Sequence, residues 1–369
     1  MRAYCLATIF INLLLVSWLP QPRADETSRR HALRYLTPAA SADRDAFVGD
    51  TSASRRSGDA DVRHVNVLFT FTNVQQNAML GPGLMRTLTS MLRNASVNIS
   101  CHFLGDAYSV IVARDVFHDA VKATNSTGHE VRLYRTETLL EPYADYLGKV
   151  RSMFSASRGK FNRDFFFITL VVHRLLPHLR RVIKLDSDLY VAADVARLQA
   201  LFADFEPEAV MGLSVEQQPV YYCAFRNYRA HAQDERAGVP ASIGGHQGYN
   251  TGVILLDLER MRTSATYANA TQLATLAATQ RRFLFFDNHL GDQDIYSMIG
   301  METQQLFYPL PCQWNRQLCT RYRTAKKFNR NLFMEYYACA EPVMIYHGNC
   351  GARLPRKAYT YHMPHPLTS

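Results

Sequence analysis

The chain has 369 residues, of which 47% are hydrophobic, 20% charged and 11% aromatic, with a formal net charge of +9. Apolar and charged fractions near the globular norm exclude a disordered, collagen-like or multi-pass membrane protein, and the length permits one large domain or two ordinary ones. A pI near 9.2 points to an anionic partner (nucleic acid, acidic lipid or a phosphorylated small molecule) without choosing among them.

Residues 3–19 form the only long apolar run, preceded by Arg2 and ended by Pro20-Gln21-Pro22-Arg23. A run of about 17 apolar residues lies at the short edge of what spans a bilayer. Residues 1–20 therefore read as a signal-anchor helix or a cleavable signal peptide, and the lack of a clear small-x-small cleavage site favours the anchor. Either segment sends the rest of the chain into the secretory lumen. The anchored case is a single-pass type II protein of the endoplasmic reticulum or Golgi membrane.

Two further features agree with a lumenal, glycosylated chain. Asn-x-Ser/Thr acceptors occur at Asn94, Asn98, Asn125 and Asn269. Beyond Cys5 an even set of cysteines remains: Cys101, Cys223, Cys312, Cys319, Cys339 and Cys350. In an oxidising compartment these suggest disulfides, with at least one bridge stapling the C-terminal segment that holds four of them. No Cys-x-x-Cys pair supports a zinc site.

Residues 21–63 carry eight arginines against seven acids and no periodic apolar face, and read as a flexible stem. Most of the excess positive charge therefore lies in residues 64–369. There the β-branched and aromatic run His64–Phe71 predicts a buried first strand. A helix is expected over Leu84–Arg93, a strand over Val97–Leu104, a helix over Tyr108–Ala123 and a strand over Glu130–Tyr134. Helices over Leu139–Phe154 and Phe161–Leu176 follow, then the strand Arg181–Leu185. Later strands are expected at Ala209–Ser214, Gly252–Asp257 and Val343–Tyr346. Strands alternating with helices imply one α/β domain of about 300 residues with a mostly parallel central sheet.

Four clusters in this domain carry chemistry. Asp186-Ser187-Asp188 ends an apolar strand, so its two carboxylates at i and i+2 can face one point, where they repel unless a cation is shared. The plain alternative is an acidic turn. An EF-hand is excluded because Tyr190 and Val191 stand where such a loop needs an acid and Gly. Gly248-Tyr249-Asn250-Thr251-Gly252 reads as a polar turn feeding a buried strand, with Asn250 able to bond sugar hydroxyls. Gly291-Asp292-Gln293-Asp294 opens a helix, with Asp292 or Asp294 a candidate N-cap. Tyr346-His347-Gly348-Asn349-Cys350-Gly351-Ala352-Arg353 offers an imidazole for a metal, backbone N–H groups and a guanidinium for an anion.

Taken in this order, the four clusters resemble the retaining glycosyltransferases that include glycogenin and the bacterial galactosyltransferases. That family's pattern runs from a first strand carrying the uridine pocket through Asp-x-Asp, Tyr-x-Asn-[Ser/Thr]-Gly-[Val/Ile] and Asp-Gln-Asp to a His-Gly loop. The resemblance covers about residues 65–355. Within the family, Arg181–Tyr190, Leu290–Asp294 and His347–Pro355 are most similar to the xyloside xylosyltransferases. The bacterial members place Gly three residues after the His, whereas here Gly351 comes four after His347.

The resemblance implies a single GT-A type, Rossmann-like nucleotide-sugar-binding domain that retains the anomeric configuration. It implies UDP-xylose as donor, Mn²⁺ as cofactor, and as acceptor an O-linked xylosyl-glucose on EGF-like repeats of secreted or cell-surface proteins. Asp186, Asp188 and His347 match the metal positions. Phe69 and Thr70 match the uridine pocket, and Ser187 would face the ribose. Asn250, Asp292 and Gln293 match the donor-sugar contacts, while Gly348, Asn349 and Arg353 would meet the diphosphate. Gln293 would lie beneath the sugar beside Asp292, and same-face transfer is expected because an amide is a poor nucleophile. The alternatives are another UDP-sugar such as UDP-glucose on the same scaffold, or an inactive lumenal sugar-binding protein. A homodimer is left open. A nucleic-acid binder is disfavoured by the secretory entry segment and by the lack of a basic run with interleaved aromatics.

Overall fold

The strand His64–Thr70 (β1) is the axis of the fold described by a computed structural model covering residues 64–154, 163–232, 234–283, 290–324 and 329–358. The expected anchor (1–20) and stem (21–63) lie outside those residues, and among the described residues no helix is long and apolar enough to cross a membrane. On one side β1 pairs in parallel with Asn98–Gly105 (β2), which pairs in parallel with Glu130–Arg135 (β3). On the other it pairs in parallel with Arg181–Leu185 (β4), while the short strand Leu189–Val191 (β5) belongs to a second sheet. Beyond β4 come Tyr249–Asp257 (β7), Met211–Val215 (β6) and Phe307–Pro309 (β8), completing the order β3-β2-β1-β4-β7-β6-β8. Only β7 runs against its neighbours, so the sheet is mostly parallel.

Period-two alternation divides the core. Val65, Val67 and Phe69 of β1, Ile183 and Leu185 of β4 and Val253 and Leu255 of β7 face one apolar layer, which includes Leu84, Leu88, Met91, Val116 and Phe117. Leu68, Val182, Ile254 and Leu256 face the other, with Leu147, Val150, Ile295 and Tyr296. The sheet is therefore buried on both faces, as near-continuous apolar strands require. The first layer is closed by helices Leu80–Arg93 (α1) and Ala107–Thr124 (α2); Asp106 caps α2 by accepting from the Ser109 N–H at 2.9 Å.

Several expectations need correction. The helix expected over Leu139–Phe154 is broken into a 3₁₀ turn at Glu141–Tyr143 and helix Ala144–Phe154 (α3), because Pro142 lacks the N–H that would continue a helix. The stretch expected as a helix to Leu176 is a 3₁₀ segment over Asp164–Leu170 and a single α turn, Val172–Leu175; residues 161–162 lie outside the described residues. Tyr249-Asn250-Thr251 is not a turn but the start of β7, which meets β6 across an irregularity at Leu213/Ser214. Three helices between Leu258 and Arg282 gave no sequence expectation. Asp292–Glu302 (α4) starts as expected, but Gly291 occupies the N-cap and both Asp292 and Asp294 lie inside the first turn.

The second sheet, β5-β10-β9, is built from Arg316–Gln317 (β9) and Ile345–His347 (β10). His347 lies opposite Leu189 in the antiparallel pairing with β5 and beside Gln317 in the parallel pairing with β9. The expectation of a C-terminal staple holds: disulfides join Cys312 to Cys339 and Cys319 to Cys350. Cys101 and Cys223 are buried thiols.

Candidate active site

β4 ends at the C-terminal edge of the parallel strands, where open α/β sheets place their ligands. The Asp186 N–H donates to the Gly252 carbonyl of β7 at 2.9 Å, fixing the start of the acidic turn. Two residues earlier, Lys184 is buried, and its Nζ donates to Asp186 Oδ1 at 2.5 Å and to the Thr251 carbonyl at 2.8 Å. Burial alone would lower the Lys184 pKa, but Asp186, Asp292 and Asp188 together outweigh it and raise the ammonium above its ordinary value.

The second sheet brings His347 to these carboxylates across more than 150 residues of chain. The Gly348 N–H donates to the Asp188 carbonyl at 2.9 Å. His347 Nε2 lies 3.4 Å from Asp188 Oδ1 and 3.8 Å from Asp186 Oδ2. Burial would lower the His347 pKa, yet Asp188 and Asp186 raise it. Burial would likewise raise Asp188, yet His347 holds it below the usual carboxylate range. The ligand atoms of Asp186, Asp188 and His347 all lie within 4.8 Å of one another, and this trio is the only such cluster of three among the described residues. Two carboxylates and one imidazole are a donor set that suits a first-row divalent ion such as Mn²⁺. The imidazole is seated over Gly252, where a Cβ would lie 2.2 Å from its Cε1. The residues therefore fit a divalent cation.

Beside this trio lies a buried polar network. Thr251 Oγ1 donates to Asp292 Oδ1 at 3.2 Å, and Thr169 Oγ1 to Asp292 Oδ2 at 2.5 Å. Burial raises the Asp292 pKa, with Lys184 opposing it. Gln293 accepts from the Thr251 N–H at Oε1 (3.3 Å) and donates from Nε2 to Glu216 Oε2 at 3.2 Å. Asn250 donates to the same Glu216 oxygen at 2.9 Å and accepts the Gly252 N–H at 3.0 Å. Asp294, deeper in α4, accepts from the Tyr221 hydroxyl at 2.9 Å and the Leu290 N–H at 2.8 Å, and burial pushes its pKa to about 8. It holds the helix start in place.

The remaining expected residues lie at the ends of β1 and β4 and in the loop after β10. Phe69 is buried and stacked on Phe103 with ring centroids 5.2 Å apart; Thr70 is half-buried at the strand end. Ser187 is half-buried, and its carbonyl accepts from the Thr87 hydroxyl of α1 at 3.0 Å. A Cβ at Gly83 would meet that same carbonyl at 3.0 Å, so α1 approaches the acidic turn closely. Asn349 turns its side-chain oxygen to the N–H groups of Leu318 and Cys319, at 3.0 and 2.9 Å, and so ties two loops together. Gly348 is buried beside Asp188. Arg353 is exposed beyond the left-handed pair Cys350 and Gly351.

Sequence reasoning missed Lys184, Glu216 and Asn315. Lys184 sits in an apolar strand, where a lone charge at i−2 from Asp186 shares its face. Glu216 directly follows strand β6, the same strand-end signal that marked Asp186. It is 3% exposed, and burial pushes its pKa to about 7 against the bonds from Asn250, Gln218 and Gln293. Asn315 lies in a 3₁₀ turn, Cys312–Asn315, with no periodicity to mark it; only the fold shows its role.

The sequence model of glycosyl transferase family 8 matches residues 81–337. Xyloside xylosyltransferase 1 of Mus musculus is 33% identical over 296 residues, covering 79% of this chain and 74% of that protein. Xyloside xylosyltransferase 1 of Homo sapiens is 32% identical over 313 residues, covering 83% and 79%. The fold is similar to the crystal structure of the apo form of the mouse protein, with a TM-score of 0.72, 32% identity and coverage of 79% of this chain and 99% of that one.

Proposed function

The chain belongs to glycosyl transferase family 8, and from that premise we propose that it transfers xylose from UDP-xylose, with retention, to an O-linked xylosyl-glucose on EGF-like repeats. The observation that carries this reading is the convergence of Asp186, Asp188 and His347 beside the buried Asp292–Gln293–Glu216 network, in a chain whose similar relatives bear the name xyloside xylosyltransferase. The proposed setting is the lumen of the endoplasmic reticulum or Golgi, with residues 1–20 as anchor.

Asp186, Asp188 and His347 would hold Mn²⁺, which when bound supplies positive charge against the diphosphate leaving group. The protein's own part is to place the groups around the anomeric carbon. Gln293 and Asp292 come from the first turn of α4, so both are carried by a rigid element. Gln293 is held at both ends of its amide, by Thr251 and Glu216, which suits a side chain that orients the sugar rather than attacks it. The Glu216 carboxylate is buried and takes N–H donors from Asn250, Gln293 and Gln218, so it is a positioning group and not an exposed nucleophile. The reading is therefore same-face transfer, with a departing phosphate oxygen taking the acceptor proton. The product formed from UDP-xylose and a xylosyl-glucose acceptor tests it by proton NMR. An α-configured new linkage supports retention, and a β linkage would refute it.

A further inference from the structure

We propose that Asn315 is a positioning residue that fixes the hydrogen of His347 on Nδ1 and leaves Nε2 as the cation-binding nitrogen, through an amide relay anchored at Glu216 and the Gly252 N–H. The inference rests on reading Asp186, Asp188 and His347 as a divalent-cation site.

The relay has two fixed ends. A backbone N–H can only donate, and Glu216 Oε2 accepts, since it faces the amide N–H groups of both Asn250 and Gln293. Asn250 is clamped between them: its Oδ1 faces the Gly252 N–H at 3.0 Å and its Nδ2 faces Glu216 Oε2 at 2.9 Å. That orientation presents Oδ1 to the next amide, so Asn315 must donate from Nδ2, at 2.9 Å. The Asn315 oxygen is then left for His347 Nδ1, at 3.0 Å. Nδ1 therefore carries a hydrogen, and the other ring nitrogen, Nε2, is the one that faces Asp188 and Asp186.

Asn315 is wholly buried, so its amide is shielded from bulk solvent. The turn that carries it is cross-linked through Cys312 to Cys339. The same Glu216 oxygen that orients Asn250 also accepts from Gln293 at 3.2 Å, so the cation's imidazole and the sugar-side amide share one anchor. Groups that orient a metal-bound imidazole typically change metal affinity 10- to 100-fold when removed.

The test titrates Mn²⁺ into the full chain, purified in detergent with UDP present, and follows free Mn²⁺ by electron paramagnetic resonance. Asn315→Leu removes both bonds at similar volume. Asn315→Asp keeps an acceptor facing Nδ1, and replaces the donor to Asn250 with a carboxylate oxygen that adds a negative charge. The expected result is that Asn315→Leu binds Mn²⁺ at least about tenfold more weakly while Asn315→Asp stays within about threefold of the native chain. Native affinity in Asn315→Leu, or an equal loss in both variants, would overturn the proposal. Thermal unfolding checks that each variant folds, and Asn315→Ser, too short to reach Nδ1, replaces Asn315→Leu if the latter does not. If the native chain binds no Mn²⁺, the cation site itself fails and the positioning role with it. If the native chain binds and Asp188→Asn does not, the cation site stands and the Asn315 variants alone decide.

Discussion

Gly252 and His347 touch so closely that a Cβ on Gly252 would lie 2.2 Å from Cε1 and 2.5 Å from Nδ1 of the imidazole. The ring is buried and held at Nδ1 by Asn315, so it cannot yield as the end of a flexible side chain would. Gly252→Ala should therefore displace Nε2 from Asp186 and Asp188. A misplacement of about 1 Å in a catalytic constellation can lower the rate on the order of 100-fold. UDP release by the folded variant should fall by about that factor, with a parallel loss of Mn²⁺ binding. Native turnover in Gly252→Ala would contradict the placement of His347.

Glu216 gives the site a pH signature. Burial pushes its carboxyl up to about 7 from an ordinary 4.5, against the bonds from Asn250, Gln218 and Gln293. The folded chain thus binds this proton more tightly than the unfolded chain. Its favourable contribution is fully present below about pH 4.5 and declines as pH rises through 7, a change on the order of 3 kcal/mol. The advantage of Glu216→Gln over the native chain in thermal unfolding should therefore grow, or its deficit shrink, between about pH 5 and about pH 8. A melting difference independent of pH would show that the carboxyl does not titrate there.

The disulfide Cys319–Cys350 joins the segment after β9 to the loop after His347. It closes a loop with a sequence separation of 31, for which chain entropy predicts a stabilisation of about 3–4 kcal/mol. Cys319→Ser with Cys350→Ser should lower the melting temperature and also weaken Mn²⁺ binding, because Cys350 lies three residues beyond His347. A drop in melting temperature with unchanged Mn²⁺ affinity would separate the staple from the site.

Much of the site was legible wherever a strand led directly into it. The apolar run Arg181–Leu185 placed Asp186 and Asp188 at a strand end, and the helix after Gly291 placed Asp292 and Gln293 at its start. The turn read at Asn250 is a strand because β7 continues past Gly252 to pair with β6 across an irregularity, a partnership with no local signal. Asn250 was read as a sugar contact from its chemistry and from the family resemblance. In the fold its carboxamide bonds to Glu216, Gly252 and Asn315. Such bonds join residues up to 65 positions apart, and only tertiary packing brings them together.

Lys184 shows the opposite case. A lone lysine in Arg-Val-Ile-Lys-Leu sits on the same strand face as Asp186, two residues on, and that spacing alone could have identified the pair. The segment Asp164–Leu170 shows why apolar character alone was insufficient. It is rich in Phe, Ile and Leu like a core helix, yet it coils as 3₁₀ and carries Thr169 to Asp292.

The measurement that bears most directly on the central claim is UDP release by the full chain from a panel of UDP-sugars, with a xylosyl-glucose acceptor, with and without EDTA. The account predicts release from UDP-xylose that EDTA abolishes, that added Mn²⁺ restores and that Asp188→Asn lacks. Release that is indifferent to EDTA and to Asp188→Asn, or none from any UDP-sugar, would contradict it.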